Sequence, residues 1–371
     1  MIALASLLIW LYLIFAHGRF WQSAPQLPPA AAAECPDVDI IVPARDEAAT
    51  IAAVIASLLA QDYAGRFKVI LVDDNSSDGT AAAAGAAASV AAQPARLTVI
   101  RSQAKPPGWS GKLWALSQGV AASSAPVILF TDADIEHDPR HLSSLTAKLL
   151  QGRLEMVSEM VRLNCVSLAE RALVPAFVYF FQMLYPFNRV NDPRSRVAAA
   201  AGGTVLIRRE VLQRIGGIDA IKHELIDDVA LAKSVKQAGS IFLGHSGLAS
   251  SMRAYPQFAD IWHMISRTAF TQLRYSALLL ALTLIGLSLV WLAPVSAILF
   301  GHGWETVCGL VAFGLAAASY LPTLARYRQN RLWSLALPLI ALFYMGATLN
   351  SALDHWRGRG ARWKNRAYGS D

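Results

Sequence analysis

The sequence predicts an α/β domain built on parallel β-α-β units and held in a membrane by apolar helices at both ends of the chain. Three observations predict it. Short β-branched runs end abruptly in carboxylates, a helix-compatible stretch follows each run, and 54% of the 371 residues are hydrophobic while only 16% are charged. The first two features mark a parallel sheet, and the third is too apolar for a soluble protein of this size.

The first apolar stretch, Ile2 to Ala16, has no Lys or Arg before it and is followed by His17 and Arg19. That flank pattern suits an uncleaved anchor over residues 1–20, with its amino end outside. Asp39 to Pro43 is the first expected strand and runs into Ala44-Arg45-Asp46-Glu47. Val69 to Val72 is the second and runs into Asp73-Asp74-Asn75-Ser76-Ser77-Asp78-Gly79-Thr80, where the Ser-Ser-Asp-Gly stretch reads as a turn and helix cap. The alanine-rich segment Ala81 to Ala92 is an ordinary helix by intrinsic propensity. Val127 to Asp134 is the third, a buried run that stops at Thr131, Asp132 and Asp134. On an extended backbone Asp132 and Asp134 point the same way and are spaced to share one hard cation. In open parallel sheets ligands bind beyond the carboxyl ends of the strands, where all three acidic clusters fall.

Two nucleotide sites are excluded. A dinucleotide fold needs G-x-G-x-x-G after the first strand, but Pro43-Ala44-Arg45-Asp46-Glu47-Ala48 stands there. Gly111-Lys112 has Pro106 five residues before the glycine and Leu113 after the lysine, so no P-loop forms. What remains is a metal-bound diphosphate whose base is held by side chains.

The ordered motifs IVPARDE, VDDNSSDGT, GKLWALSQG, TDAD, GGTVLIRREVL with IGG, and ELIDDVAL resemble the family 2 glycosyltransferases of the GT-A fold over residues 36–251. Within that family the chain is similar to membrane-bound glycosyltransferases associated with hopanoid biosynthesis. The resemblance implies a Rossmann-like mixed sheet and a nucleotide-sugar donor, with uracil as the base. Carried over by position, Pro43, Ala44, Arg45, Glu47, Asp73 and Asp74 belong to the donor pocket, with Lys112 near the diphosphate. Asp132 touches the ribose or the metal, Asp134 ligates a divalent cation (Mg²⁺ or Mn²⁺), and Asp228 stands in the place of the catalytic base. The family's Glu-Asp pair is here Asp227-Asp228, one methylene shorter on the first side chain.

The chemistry needs these types. A carboxylate takes the proton of an acceptor hydroxyl as that oxygen attacks the anomeric carbon, and a cation with Lys112 stabilises the charge growing on the leaving diphosphate. Displacement in one step inverts the anomeric configuration. The alternative reading of Asp227-Asp228 is an acidic helix start favoured by the dipole. His245, in the GHSG stretch, is a weak further metal candidate. His137 and His141 are spaced i, i+4, but Pro139 between them argues against a shared helix face, so they read as structural or solvated.

Ala277 to Phe300, Val307 to Ala325 and Leu332 to Leu353 are each long enough to cross a core of about 30 Å and form the membrane region 276–355. Before them, Phe258, Ile261, Trp262, Ile265, Phe270 and Leu273 recur near helical spacing, an amphipathic interfacial segment over 252–275 or a core-packing helix. The greasy patch Phe177 to Phe187 guides a lipid acceptor or packs the core. The basic tail, 356–371, extends a charge bias: from Arg326 onward eight Lys and Arg face two Asp, while the whole chain is +7. This favours anionic headgroups over nucleic acid as partner. Three crossings after a cytoplasmic domain put that tail outside, so either the tail breaks the positive-inside rule or one segment is re-entrant, with Pro338 and Gly346 pointing to the last.

Cys35, Cys165 and Cys308 have no metal-like spacing and suggest no disulfide framework. The expectation is a multi-pass protein of the inner (cytoplasmic) membrane, its catalytic domain in the cytoplasm, transferring one sugar to a membrane lipid such as a hopanoid. A processive polysaccharide synthase is the alternative, but its Q-x-x-R-W is replaced by Gln272-Leu273-Arg274-Tyr275. A non-catalytic membrane component would have lost metal and base residues, and none is lost.

Overall fold

The computed structural model describes residues 1–358, 362–363 and 366–367, so Arg359 and Lys364 of the expected basic tail lie outside the described residues. The chain divides into two compact units: of the described residues, one holds 1–24, 164–188 and 254–358, the other 25–163, 189–253, 362–363 and 366–367. Residues 164–188 therefore interrupt the continuous catalytic span 36–251 read from the motifs.

The second unit is built on an eight-stranded sheet of β1 (Val38–Ala44), β2 (Phe67–Asp73), β3 (Leu97–Arg101), β4 (Val127–Thr131), β5 (Ile135–His137), β6 (Met156–Arg162), β7 (Thr204–Arg208) and β8 (Ile241–Ser251). Their order is β3-β2-β1-β4-β7-β6-β8-β5. The three apolar runs of the sequence become β1, β2 and β4, with β1 paired in parallel to both neighbours. Every residue of β1 is buried, as a strand covered on both faces requires. β7 pairs antiparallel to β4 and β6, so the sheet is mixed, as the resemblance implies.

This topology gathers the polar ends. Parallel β1, β2 and β4 finish at one edge, in Ala44, Asp73 and Thr131. Antiparallel β7 starts there, with Thr204 opposite Thr131, so the Gly202-Gly203 turn lies beside Asp132. The helix Gly111–Ala121 packs tightly on β1, because a Cβ at Gly119 would sit 2.4 Å from Ile41 Cγ2. Ser110 caps it, its Oγ accepting from the Leu113 amide at 3.1 Å, which presents Lys112 in the first turn.

In the first unit, Ile2–Phe15 is a helix of 14 residues, and among the described residues three helices are long and apolar enough to cross a membrane: Ala277–Phe300, Trp304–Arg326 and Arg331–Trp356. Pro338 sits in the first turn of the uninterrupted helix Leu337–Trp356 and so starts it rather than breaking it. Ala277–Phe300 contains a π-helical turn at Ser288–Leu292. Pro294 beyond it brings no amide back to the Val290 carbonyl, which instead accepts from Trp10 Nε1 at 2.9 Å. The greasy patch lies in the helix Leu168–Leu184 as far as Leu184, with Tyr185 to Phe187 just beyond its end, and the Tyr179 hydroxyl of that helix lies 2.6 Å from Ser319 Oγ. The expected amphipathic segment is two short helices, Phe258–Ser266 and Ala269–Gln272, with Trp262 packed on Phe343 and against Gly346.

Candidate active site

Lys112 is the hub of the cleft at the sheet edge. Its ammonium lies 2.9 Å from Asp132 and 3.5 Å from Asp227. Burial alone would favour neutral lysine, but Asp132 and then Asp227 outweigh it and hold the group protonated well above its ordinary range. The cleft is lined by Pro43, Phe130, Thr131, Asp132, Gly202 and Asp228 among others, so base and donor candidates share one pocket.

Asp228 opens the helix Asp227–Ala238 but is not a solvated first-turn acid. The Gly202 amide donates to Oδ2 and the Val229 amide to Oδ1, both at 2.8 Å. Each oxygen keeps a second lone pair for a proton in the cleft. Burial, then the charge of Asp227, push Asp228 up to about 7, with Lys112 pulling the other way. A base poised near neutrality is the value that favours proton abstraction.

The turn bearing Gly202 is pinned from behind. Ser158 Oγ accepts from the Ala201 amide at 2.9 Å and donates to the Ala201 carbonyl at 3.1 Å. Lys236 donates to the carbonyls of Arg189, Val190 and Val197 within 3.1 Å. Neither residue carries a motif, and their partners are distant in sequence.

The donor-side candidates separate into two sets. Pro43 and Asp132 line the cleft. Asp74 is fully buried; Arg45 lies 3.4 Å from its carboxylate and donates to its carbonyl at 2.6 Å. Asp73 caps the following turn, its Oδ1 accepting from the Ser76 amide and hydroxyl. Ala44 ends β1, and its carbonyl accepts from the Asp74 amide at 2.8 Å, tying the two loops together.

Asp134 meets a cation the motifs did not reveal. Arg253, just past β8, donates to Asp134 Oδ2 at 2.5 Å and to Glu47 Oε1 at 3.0 Å. Burial and then Asp132 raise Asp134's pKa, while Arg253 lowers it. Two aspartates offering oxygen donors fit a hard divalent cation that takes one or two carboxylates plus phosphates. Among the described residues no group of three or more His, Cys, Asp or Glu is arranged to hold a metal by itself. His245 joins no such group. It is buried in β8, with its amide bonded to the Pro25 carbonyl and its carbonyl to the Leu27 amide.

His137 and His141 are structural rather than solvated. Both are buried, their Nδ1 atoms are 2.7 Å apart, and His141 Nε2 lies 2.6 Å from Glu159. Pro139 does separate them, since His137 ends β5 and His141 begins the helix His141–Gln151.

Residues 39–216 match the family described as Glycosyl transferase family 2. The beta-monoglucosyldiacylglycerol synthase of Trichormus variabilis is 24% identical over 73% of this chain and 59% of its own length, so the chain spans under two thirds of that relative. The enzyme of the same name from Nostoc sp. is 24% identical over 92% of this chain and 75% of its own length. Among solved structures, a mannosyltransferase from Pyrobaculum calidifontis in complex with GDP-Man and Mn²⁺ covers 96% of this chain and 99% of its own, with a TM-score of 0.59 at 19% identity. That likeness establishes the fold. Residues 39–216 therefore carry a domain that matches Glycosyl transferase family 2, on a fold shared with that GT-A mannosyltransferase.

Proposed function

We propose that the chain transfers one sugar from a nucleotide-sugar donor to a hydroxyl of a membrane lipid, with inversion. The single observation that carries the reading is Asp228, held by two amides in the cleft that contains Lys112 and Asp132. Asp228 takes the proton of the acceptor hydroxyl, the acceptor oxygen bonds to the anomeric carbon, and the bond to the diphosphate oxygen breaks with its electron pair. Lys112 meets the charge that develops on the diphosphate. Asp132 and Asp134 would hold a divalent cation, Mg²⁺ or Mn²⁺, which when bound neutralises diphosphate charge.

Lipid as acceptor is supported by three apolar helices of membrane-crossing length and by relatives named for a glucosyldiacylglycerol product. A hopanoid is the acceptor implied by the narrower sequence resemblance, and a UDP-linked donor by the family. The proposed setting is the cytoplasmic membrane with the catalytic unit inside.

Membranes carrying the chain are incubated with labelled UDP- and GDP-sugars and Mg²⁺ or Mn²⁺, beside Asp228→Asn. Metal-dependent label in extracted lipid, lost in the mutant, is the expected result and names donor and acceptor. Label in a long polysaccharide would replace single transfer with processive synthesis. No turnover by folded protein would sink the catalytic reading.

A further inference from the structure

Behind the cleft runs a buried chain of polar side chains that the transfer chemistry does not use. Glu159 on β6 meets His141 Nε2 at 2.6 Å, His141 Nδ1 meets His137 Nδ1 at 2.7 Å, and His137 Nε2 meets Thr131 Oγ1 at 3.0 Å. Thr131 Oγ1 also lies 2.9 Å from the Gly203 carbonyl. All four side chains are buried. The chain ends between two strand ends, since Asp132 follows Thr131 and Gly202, whose amide holds Asp228, precedes Gly203.

Counting protons fixes its direction. Thr131 has one hydroxyl proton, so satisfying both its contacts requires donation to the Gly203 carbonyl and acceptance from His137 Nε2–H. A neutral His137 then accepts at Nδ1, and His141 must donate from its own Nδ1. His141 Nε2 and Glu159 Oε2 are left sharing one further proton, as an imidazolium–carboxylate or an imidazole–carboxylic acid pair. Loss of that proton permits the opposite arrangement, with every donor pointing toward Glu159 and Thr131 turned from Gly203 to His137. That would take the Thr131 hydroxyl away from the Gly203 carbonyl, so the 2.9 Å contact between them selects the first arrangement, with a proton between His141 Nε2 and Glu159. Burial and the neighbouring His141 hold His137 well below the usual histidine range, in keeping with its neutral place in the chain. The other groups facing the network are the Ser57 hydroxyl, which accepts from the His137 amide at 3.2 Å, and the surface pair Asp138–Arg140 beside His141.

We propose that Glu159, His141 and His137 are positioning residues for nucleotide-sugar transfer: the proton shared by Glu159 and His141 fixes the tautomer of His137, which orients Thr131 and thereby locks the ends of β4 and β7 that carry Asp132 and the Asp228-binding turn. The proposal rests on the donor cleft described above.

The test is Mn²⁺-dependent binding of nucleoside diphosphates to the full chain in lipid nanodiscs, by calorimetry, using the tightest of ADP, CDP, GDP, TDP and UDP. Thr131→Val and Glu159→Leu should each weaken binding about tenfold. Because the two residues do not touch, an effect carried by the relay makes the double variant no weaker than about tenfold, while independent structural damage multiplies to about a hundredfold. Glu159→Gln keeps a donor toward His141 and should stay within about twofold of wild type. A hundredfold loss in the double variant, no loss in either single variant, or Gln as damaging as Leu overturns the relay. If Glu159→Leu does not fold, Thr131→Val against Thr131→Ser decides: Ser restores binding to within about twofold, and Val at wild-type affinity overturns the proposal. A wild type that binds no nucleoside diphosphate would instead overturn the donor cleft itself, and an active Asp228→Asn would overturn only the base.

Discussion

Gly202 and Asp228 fit without space for a side chain: the amide donates to Oδ2 at 2.8 Å, and a Cβ at residue 202 would come 3.3 Å from the same oxygen and 3.5 Å from Lys112 Nζ. The glycine is therefore set by closeness to the base rather than by an unusual backbone angle. Gly202→Ala pushes Asp228 by a few tenths of an ångström while leaving every charge in place. Transfer rate should fall about tenfold, or ~1.4 kcal/mol of barrier, with nucleotide affinity nearly unchanged. Asp228→Asn removes the proposed base itself and should lose about 10²- to 10⁴-fold. Initial rates at saturating donor check both.

Arg253 spans Asp134 and Glu47, so it covers the carboxylate expected to ligate a cation. Arg253→Gln removes that competing positive charge. In the absence of nucleotide, Mn²⁺ should bind about tenfold more tightly than to wild type, read by calorimetry. Unchanged Mn²⁺ affinity would mean that Arg253 and the metal do not contest the same oxygens.

The legible half of the sheet is its local half. β1, β2 and β4 announce themselves because a strand buried on both faces must be apolar throughout and must stop where polar residues begin, as at Asp73 and Asp132. The hydrophobic lengths near 277–300, 304–326 and 331–356 are legible for the same reason, since they depend on composition alone. Arg253 was illegible because its partner Asp134 is 119 residues away. Glu159, Ser158 and Lys236 are similar: each matters through a contact distant in sequence, with His141, with Ala201 and with the carbonyls of Arg189, Val190 and Val197 respectively. Asp74 shows the complementary case, a motif residue whose burial beneath Arg45 is supplied only by the fold.

Trp10 and Pro294 form a compensating pair in the helical unit. Trp10→Phe keeps the apolar ring but leaves the Val290 carbonyl without its donor, which should destabilise by about 1–2 kcal/mol. Pro294→Ala supplies a helical amide to that carbonyl, so the loss on Trp10→Phe should shrink in the Pro294→Ala background. Thermal unfolding of the four proteins in one detergent measures the coupling. Equal losses in both backgrounds would show that the ring, not its N–H, holds the helix.

The pH dependence of transfer tests the Lys112–Asp228 arrangement most directly. Asp228 is raised to about 7 by burial and by Asp227, so below that pH the free protein carries it protonated and unable to accept. Log kcat/KM should climb with unit slope up to about pH 7 and level off above it. The same shift has a stability sign: a carboxyl with a raised folded pKa favours the folded state at low pH, and that contribution is lost as pH rises from the ordinary carboxylate range toward 7. Lys112 opposes the rise, since its charge favours ionised Asp228. Lys112→Met should therefore move the midpoint of the rate profile upward, against the downward shift expected if burial were relieved by opening the cleft. Lys112→Arg keeps the charge, so its midpoint should stay near the wild-type value even if its longer fork weakens donor binding.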